Sequence, residues 1–184
     1  MADINVIKTS IKDLVIIEPQ VFGDNRGYFM ETYHQEVFAN AGLAMKFVQD
    51  NQSMSRKGVL RGLHLQTKFS QGKLVRVISG EVYDVGVDLR KGSPTYGKYE
   101  GVILSGDNKR MFYVPEGFAH GFLVLSDEAI FTYKCTQIYY PGYDAGIIYN
   151  DSDIGVAWPT EGIEPLLSEK DKTLPTLKET GYEL

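Results

Sequence analysis

The sequence of 184 residues lacks the features that mark several classes of protein. It contains one cysteine, Cys135, so no disulfide can form within the chain, which is typical of a protein from a reducing compartment. The N-terminal residues lack the uncharged apolar segment of a signal peptide, and no apolar run approaches the length of a membrane span. We therefore predict a cytoplasmic protein that does not enter the membrane.

Positive charge and histidine are also scarce. The formal net charge is −5, with 19 Lys and Arg against 24 Asp and Glu, which argues against a surface that coats nucleic acid. An anionic ligand would therefore have to be held by a local cluster of cations. The only histidines are His34, His64 and His120, which restricts any metal site built from imidazole ligands.

Aromatic and turn-forming residues are plentiful, with 12 Tyr, 9 Phe, 19 Gly and 7 Pro. Short strand-like segments alternate with turn signals, and their number and spacing predict a β sandwich or barrel. One helix is predicted over residues 35–41, and Ser168 is a candidate N-cap of another with Asp171 at its third position. No repeat or linker divides the chain, so we predict a single domain over residues 1–184. The predicted strands cover residues 5–8, 14–18, 28–33, 47–55, 59–66, 74–78, 81–89, 99–104, 110–114, 121–125 and 129–137.

Residues 59–66 (VLRGLHLQ) carry the first chemical signal. Arg61 and His64 stand among the apolar positions of a predicted strand, and both are costly to bury without partners. Lys73 opens the next strand, so a base and two cations can face one cavity. The alternative interpretation is a hydrogen-bonded core histidine, with Arg61 and Lys73 extending to solvent.

Residues 115–120 (PEGFAH) carry the second signal. A Pro-x-Gly turn shortly before a histidine resembles the second motif of the cupin barrel family, whose first motif contains a His-x-His pair and a Glu. Here the first motif reads His64-Leu65-Gln66, and residues 67–72 contain no carboxylate. Because a metal cupin needs about three or four protein ligands, we predict that no metal is bound. Two histidines are then free for proton chemistry.

Seven motifs, in order along the chain, together resemble the dTDP-4-dehydrorhamnose 3,5-epimerase family. The similarity extends from about residue 8 to about residue 175. The motifs are GDNRG at 23–27, FVQDN at 47–51, VLRGLH at 59–64, QGKLVR at 71–76, PEGFAHGF at 115–122, YK at 133–134 and LSEKD at 167–171.

The resemblance implies an all-β fold: a cupin-type double-stranded antiparallel β barrel (jelly roll) with short helical segments, mainly C-terminal. It implies an isomerase that epimerises dTDP-4-dehydro-6-deoxy-D-glucose at C3 and C5 to dTDP-4-dehydro-L-rhamnose, in dTDP-rhamnose biosynthesis, without a cofactor or metal. It also implies a homodimer that exchanges N-terminal strands, with a dTDP-sugar as its small-molecule partner.

The resemblance also implies roles for individual residues. His64 is the expected base, Asp171 its carboxylate partner, Lys73 the cation that faces the enolate oxygen O4, and Tyr133 the acid that reprotonates the opposite face. Without the resemblance, Asp171 would be interpreted as a first-turn helix acid, and Tyr133 as a residue sharing the apolar face of Phe131. The expected substrate-binding residues are Arg26, Glu31, Gln49, Asn51, Arg61, His120, Tyr139, Asp144 and Lys170. Many relatives have Glu at the position of Asp144, whose shorter side chain has less reach.

Three alternatives stay open at this point. The first is a related enzyme that inverts only C3 or only C5, or that uses another nucleotide. The second is a non-catalytic cupin that binds a sugar nucleotide, which the combination of His64, Lys73 and Tyr133 disfavours because binding alone needs no base and acid. The third is a metal-dependent cupin dioxygenase, which the missing metal ligands disfavour.

Overall fold

The computed structural model of the chain describes residues 3–184, which form short strands and small helices. The helices are α1 (Gln35–Asn40), α2 (Glu169–Lys172) and α3 (Leu177–Thr180), with a 3-10 turn at Pro141–Tyr143. The strands are β1 (Ile4–Lys8), β2 (Val15–Pro19), β3 (Val21–Asp24), β4 (Gly27–Met30), β5 (Gln49–Arg56), β6 (Leu60–Gln66), β7 (Lys73–Ser79), β8 (Glu81–Asp88), β9 (Tyr99–Ser105), β10 (Met111–Val114), β11 (Phe118–Val124), β12 (Glu128–Cys135) and β13 (Asp144–Gly146).

Two antiparallel sheets face each other and form the barrel. One has the order β1-β2-β10-β7-β12-β5, and the other has the order β13-β6-β11-β8-β9. Strands that follow one another in the chain, such as β6 and β7, often lie in different sheets, as in a jelly roll. The predicted cupin-type barrel is confirmed.

The space between the sheets is filled by apolar side chains from both of them. Because successive residues of a strand point to opposite faces, Val75 and Val77 of β7 enter this core with Phe131 of β12. Phe122 of β11 stacks on Phe131, with ring centroids 4.2 Å apart. This packed interior fixes the distance between the sheets, and the polar groups of the site lie at its edge.

The outer face of the five-stranded sheet is also covered, in this case by the C-terminal part of the chain. Val85, Val87 and Leu89 of the β8 region are buried there against Ile154 and Leu177. Both faces of β8 are buried, because segments beyond the barrel cover its outer side.

Strands β3 and β4 form a hairpin that is a separate two-stranded sheet. The predicted turn at residues 23–27 is confirmed, since Asp24 pairs with Gly27, which has a φ of 133°. The predicted aromatic strand over 28–33 is shorter and ends at Met30. Phe22 and Phe29 are 47% and 66% exposed, so this hairpin presents apolar surface to its surroundings.

The helices are short, and none among residues 3–184 is long and apolar enough to cross a membrane. The predicted helix at 35–41 is α1, whose N-cap is His34: its ring Nδ1 accepts a hydrogen bond from the Val37 N–H. The predicted N-cap Ser168 is confirmed for α2, where its hydroxyl accepts from the Asp171 N–H. Strands β3 and β13 and helix α3 were not predicted.

Candidate active site

The site lies along the open side of the barrel, where β5 ends one sheet and β13 and β6 end the other. In the six-stranded sheet, Cys135 is paired with Lys73 on one side and Gln49 on the other. Two residues away, Tyr133 is paired with Val75 and Asn51. Since Val75 faces the interior core, Lys73, Tyr133 and Asn51 belong to the same inward face.

A histidine–aspartate pair stands on the facing sheet. His64 of β6 is joined to Asp171 of α2 across 107 residues, with 2.6 Å between Nε2 and Oδ1. The side chain of His64 is 33% exposed and that of Asp171 only 4%. An ionised carboxylate can only accept, so Nε2 carries the hydrogen and Nδ1 keeps a lone pair that can act as a base.

Helix α2 is positioned so that Asp171 lies against β6. Burial of Asp171 would raise the pKa of its carboxyl, but hydrogen bonds from His64, Ser168 and the Gly62 backbone outweigh burial and lower that pKa below its ordinary value. Asp171 therefore stays ionised at neutral pH and can stabilise a protonated His64.

A second histidine–aspartate pair lies deeper in the barrel and was half missed by sequence reasoning. His120 of β11 is the cross-strand neighbour of His64, and its Nε2 lies 3.0 Å from both carboxylate oxygens of Asp84. Asp84 is fully buried, and this burial raises the pKa of its carboxyl, while His120 and Lys73 partly oppose the rise. The signal that could have found Asp84 was its position two residues after Val82, on the same face of the predicted strand over 81–89.

Lys73 lies close enough to Asp84 for each group to affect the pKa of the other. Burial lowers the pKa of its ammonium group, and the neighbouring Cys135, Asp84 and Asp144 partly offset this effect. A partly desolvated cation interacts strongly with an oxyanion that forms beside it, because little water screens the attraction.

Tyr133 lies beside Asn51 on the inward face, near enough to Arg61 for the guanidinium to affect its phenol. Burial raises the pKa of the Tyr133 phenol and Arg61 opposes the rise, so the hydroxyl is protonated at neutral pH. Arg61 itself is exposed, and its guanidinium donates from Nε and Nη2 to the Ser55 hydroxyl at 3.2 and 3.1 Å. Arg61 is thus neither a buried core residue nor a side chain that extends freely into solvent. It forms a bridge between β6 and β5.

Polar side chains line the other end of the opening. Gln49 accepts from the Tyr139 N–H at 2.8 Å and donates to the Asn51 amide oxygen at 3.0 Å. The Tyr139 hydroxyl donates to Asp144 at 2.9 Å, and Lys170 forms an ion pair with the same carboxylate. The Asp144 carboxylate thus contacts both of these neighbours within the chain.

Two predicted site residues are not brought to this opening in their own chain. Arg26 lies in the β3–β4 turn, exposed and ion-paired with Asp24 at 2.5 Å. Its hairpin neighbour Tyr28 lies under the Lys109 ammonium, 4.1 Å from the ring centroid, beside the turns at the far end of the barrel. Glu31 precedes Thr32, which lines a cleft on the outer face of the six-stranded sheet with Arg76.

The backbone between these functional residues is unusually close. A Cβ atom on Gly62 would lie 2.6 Å from the Gly121 Cα, and one on Gly121 would lie 2.7 Å from the Arg61 carbonyl oxygen. Gly62 also has a φ of 127°, a backbone conformation that is unfavourable for residues other than glycine. Only glycine fits at both positions, and the contact sets the register that pairs His64 with His120.

The position of a cupin metal ligand is taken by Gln66, whose amide is buried and hydrogen-bonded to backbone groups. Among residues 3–184, no group of three or more His, Cys, Asp or Glu side chains has an arrangement that could hold a metal ion. What the residues do provide is an imidazole paired with a carboxylate, a protonated phenol and a partly buried cation, from two facing sheets. Such a set can remove a proton next to a carbonyl, stabilise the enolate and return a proton from another direction.

Comparison with known proteins agrees with this chemistry. The sequence model for dTDP-4-dehydrorhamnose 3,5-epimerase matches residues 8–179. The enzyme of that name from Methanothermobacter thermautotrophicus is 58% identical over 180 residues, covering 97% of each chain, and that from Escherichia coli is 53% identical over 178 residues, covering 95% of each. The crystal structure of dTDP-6-deoxy-D-glucose-3,5-epimerase from Legionella pneumophila in complex with dTDP-4-keto-L-rhamnose superimposes with a TM-score of 0.92 at 51% identity, over 95% of this chain and 93% of that one. The chain belongs to the dTDP-4-dehydrorhamnose 3,5-epimerase family.

Proposed function

We propose that this chain, acting as a single domain over residues 1–184, inverts C3 and C5 of dTDP-4-dehydro-6-deoxy-D-glucose to give dTDP-4-dehydro-L-rhamnose. The observation that carries the proposal is the 2.6 Å contact between His64 and the buried Asp171, opposite Lys73 and Tyr133 on the facing sheet. An accessible imidazole and a protonated phenol on the two walls of one opening support the proposal.

The reaction follows from the acidity of the carbons next to the C4 ketone. His64 takes the proton through Nδ1, and the C–H electron pair moves onto O4 as an enolate. The Lys73 ammonium stabilises the charge on O4, which is larger in the transition state than in the ketone. Tyr133 then donates its phenolic proton to the opposite face of the carbon, and the resulting phenolate is stabilised by Arg61. After each inversion, solvent accepts the proton from His64 and returns a proton to Tyr133.

The binding residues have separate tasks in this proposal. Arg61 binds a phosphate, since a guanidinium donates two hydrogen bonds to neighbouring oxygens. Gln49 and Asn51 present amides to the nucleotide, Tyr139 stacks on the thymine, and His120, held by Asp84, binds the sugar. Asp144 and Lys170 close the end of the subsite beside Tyr139.

We place Arg26 and Glu31 in the pocket of a partner subunit, in a homodimer with exchanged N-terminal strands. Strand β7 runs from Lys73 at the site to Ser79 at the far end, about 20 Å at the usual rise per residue, and the β3–β4 hairpin lies near that far end. The exposed Phe22 and Phe29 on this hairpin also favour a covered position in an assembly.

We assign the activity to the cytoplasm, because the single cysteine, Cys135, is buried and free. Because the net charge of the chain is −5, the anionic nucleotide is held by the local cations of the site.

The test is proton NMR of the protein with dTDP-4-keto-6-deoxyglucose in D₂O. The wild-type protein should incorporate deuterium at C3 and C5 and accumulate the L-rhamno product. His64→Ala should slow both exchanges by about two to four orders of magnitude, as expected for a general base. His34→Ala is the matched control, because that histidine caps α1 and should leave exchange unchanged.

Tyr133→Phe separates deprotonation from inversion in the same experiment. The variant should still exchange deuterium into the substrate, while little L-rhamno product forms. An absence of exchange at both carbons in the wild type would disprove epimerisation, and exchange at one carbon would identify a single-carbon epimerase. Normal exchange in His64→Ala would assign the base to another residue.

A further inference from the structure

Gln66 is a buried residue at the end of β6 to which the proposed chemistry gives no task. The residue is 4% exposed, and its amide forms hydrogen bonds only with backbone groups. The Oε1 atom accepts from the Tyr140 N–H at 2.6 Å, and Nε2 donates to the Phe69 carbonyl at 2.8 Å and the Ile138 carbonyl at 3.4 Å. One side chain therefore joins two loops at the mouth of the site, residues 67–72 and residues 138–143.

These contacts require an amide. One end faces an N–H donor and the other faces two carbonyl acceptors, so the orientation of the amide is determined. A carboxylate would put an oxygen against two carbonyl oxygens, and a leucine would leave all three backbone groups without their partner. The side chain of Gln66 is thus matched to the two loops and not to solvent or to a metal ion.

The loop over 138–143 is held from both sheets at consecutive residues. The Tyr139 N–H donates to Gln49 of β5, and the Tyr140 N–H donates to Gln66 of β6. These two glutamines belong to opposite sheets, so together they hold the loop across the opening of the barrel. Tyr139, between the two sheets, presents its ring and hydroxyl from this fixed backbone.

The loop over 67–72 depends on the same amide. Phe69 has a φ of 54°, which is disfavoured for a residue with a side chain. Its carbonyl accepts from Gln66, and its ring packs on Tyr140 and Tyr143 with centroids 4.9 and 5.6 Å apart. The strained loop is therefore tied to the loop that carries Tyr139.

We propose that Gln66 is a positioning residue that holds the loop over 138–143 in its binding conformation before the nucleotide arrives. It acts through the backbone of Tyr139 and Tyr140 and sets the affinity for dTDP, whereas proton transfer by His64 does not depend on it. This inference rests on the proposed function, in which Tyr139 belongs to the nucleotide subsite. The loop is ordered during folding, so nucleotide binding does not include the free-energy cost of ordering it.

The experiment compares Gln66→Leu and Gln66→Glu with wild type by calorimetry with dTDP and by steady-state kinetics. Both variants should bind dTDP about tenfold more weakly, the fold-change typical of losing a buried hydrogen-bond set. KM should rise by a similar factor, while kcat and deuterium exchange at saturating substrate stay within about twofold of wild type. Gln71→Glu is the matched control, because the partly buried Gln71 makes a similar bond to the Gln137 carbonyl, and it should bind dTDP as wild type does.

The outcomes separate this inference from the proposed function. Failure of the wild-type protein to bind dTDP would contradict the proposed function. Tight binding by wild type and by both folded Gln66 variants would overturn the role of Gln66 alone, and so would a loss of kcat with unchanged KM. Hydrogen exchange of the Tyr140 amide in the free wild-type protein gives a measurement that needs no variant. Slow exchange without dTDP is expected, and exchange as fast as in an open chain would overturn the inference.

Discussion

At the scale of single residues, the two histidine–aspartate pairs differ in how far substrate and solvent can reach them. The side chain of His64 is 33% exposed, whereas that of His120 is 8% exposed. Both carboxylates, Asp171 and Asp84, are almost completely buried. Only His64 combines a fixed orientation with an accessible ring nitrogen, which is what a general base at a substrate carbon requires.

Lys73→Ala should reduce turnover much more than nucleotide binding. The oxyanion that Lys73 stabilises exists only along the reaction, so its loss acts on the transition state. We expect kcat to fall by about two to three orders of magnitude, as for other oxyanion-stabilising groups, and the Kd for dTDP to change by less than about threefold. Arg61→Ala is the comparison variant and should weaken dTDP binding. Equal effects of Lys73→Ala on Kd and kcat would contradict an enolate role.

The pKa of Lys73 gives a separate prediction about pH. Burial lowers the pKa of its ammonium below the ordinary 10.5, so the cation is lost at a lower pH than in an exposed lysine. The profile of kcat against pH should therefore fall on its alkaline side below 10.5, because the enolate loses its cation there. In Lys73→Arg, whose guanidinium stays protonated, this alkaline fall should move to higher pH, where loss of the Tyr133 proton becomes limiting, in whatever activity is left. An unchanged alkaline limb in that variant would assign the titration to another group.

At the scale of elements, the short helix α2 matters because it delivers Asp171. The Ser168 hydroxyl caps the helix and also hydrogen-bonds the Asp171 side chain, which helps lower the pKa of that carboxyl. A carboxyl with a lowered pKa stabilises the folded state above its unfolded pKa, and this contribution is lost as the pH falls through the folded value. Ser168 thus affects both stability and the partner of His64.

Ser168→Ala should reduce kcat by about three- to tenfold and lower stability by about 1 kcal/mol, the usual cost of a lost N-cap. Thr176→Ala is the matched control: Thr176 caps α3 in a capping box, so the variant should lose similar stability without losing activity. Thermal unfolding and kcat, measured on both variants, distinguish the two effects. Equal activity losses in the two variants would mean that α2 has no special link to His64.

Much of the fold was predictable from alternation and turn residues, and the exceptions have physical reasons. The strands that line the site, β6, β7 and β12, were predicted to within two residues at each end. Strand β13 was not predicted, because three residues after a Tyr-Pro-Gly turn have no period to recognise, and it forms by pairing with β6. Helix α3 is only four residues long and depends on burial of Leu177 under the C-terminal segment.

Site residues were predictable where a motif or the family resemblance identified them. They were not predictable where contacts between distant elements determine the role of a residue. The contact between His64 and Asp171 spans 107 residues, which no local pattern reveals. Asp84 was missed because no local pattern in residues 81–89 marks its contact with His120, and Gln66 because it was weighed only as an absent metal ligand. Both residues acquire their importance from groups on other elements, namely His120 and the loop over 138–143.

At the scale of the whole molecule, the place of the β3–β4 hairpin makes a prediction about subunits. If Arg26 serves the partner's pocket, a hybrid of one Arg26→Ala subunit and one His64→Ala subunit has one intact pocket. Each single-variant homodimer should be nearly inactive, whereas the hybrid, purified with two different affinity tags, should regain activity close to half that of wild type. If Arg26 served its own subunit, both pockets of the hybrid would be damaged and it would stay inactive.

Metal removal provides another test of the whole protein. Gln66 stands where metal cupins have a ligand, and its amide is fully occupied by backbone. Activity should therefore survive dialysis against EDTA, and elemental analysis should find no stoichiometric transition metal. Activity lost on chelation and restored by one added metal would contradict this.

The glycine contact between β6 and β11 bears on how such an enzyme can diverge. A side chain at Gly62 or Gly121 collides with main-chain atoms, which cannot move aside as a flexible side chain does. The spacing of His64 and His120 is thus tied to the main chain itself, and single substitutions there give no gradual route to a different geometry. The loop over 138–143 carries no such constraint at Gly142, where an added Cβ would meet no atom within 4 Å. Descendants of this sequence are therefore expected to change the nucleotide they accept through the loop while the spacing of the proton-transfer groups stays constant.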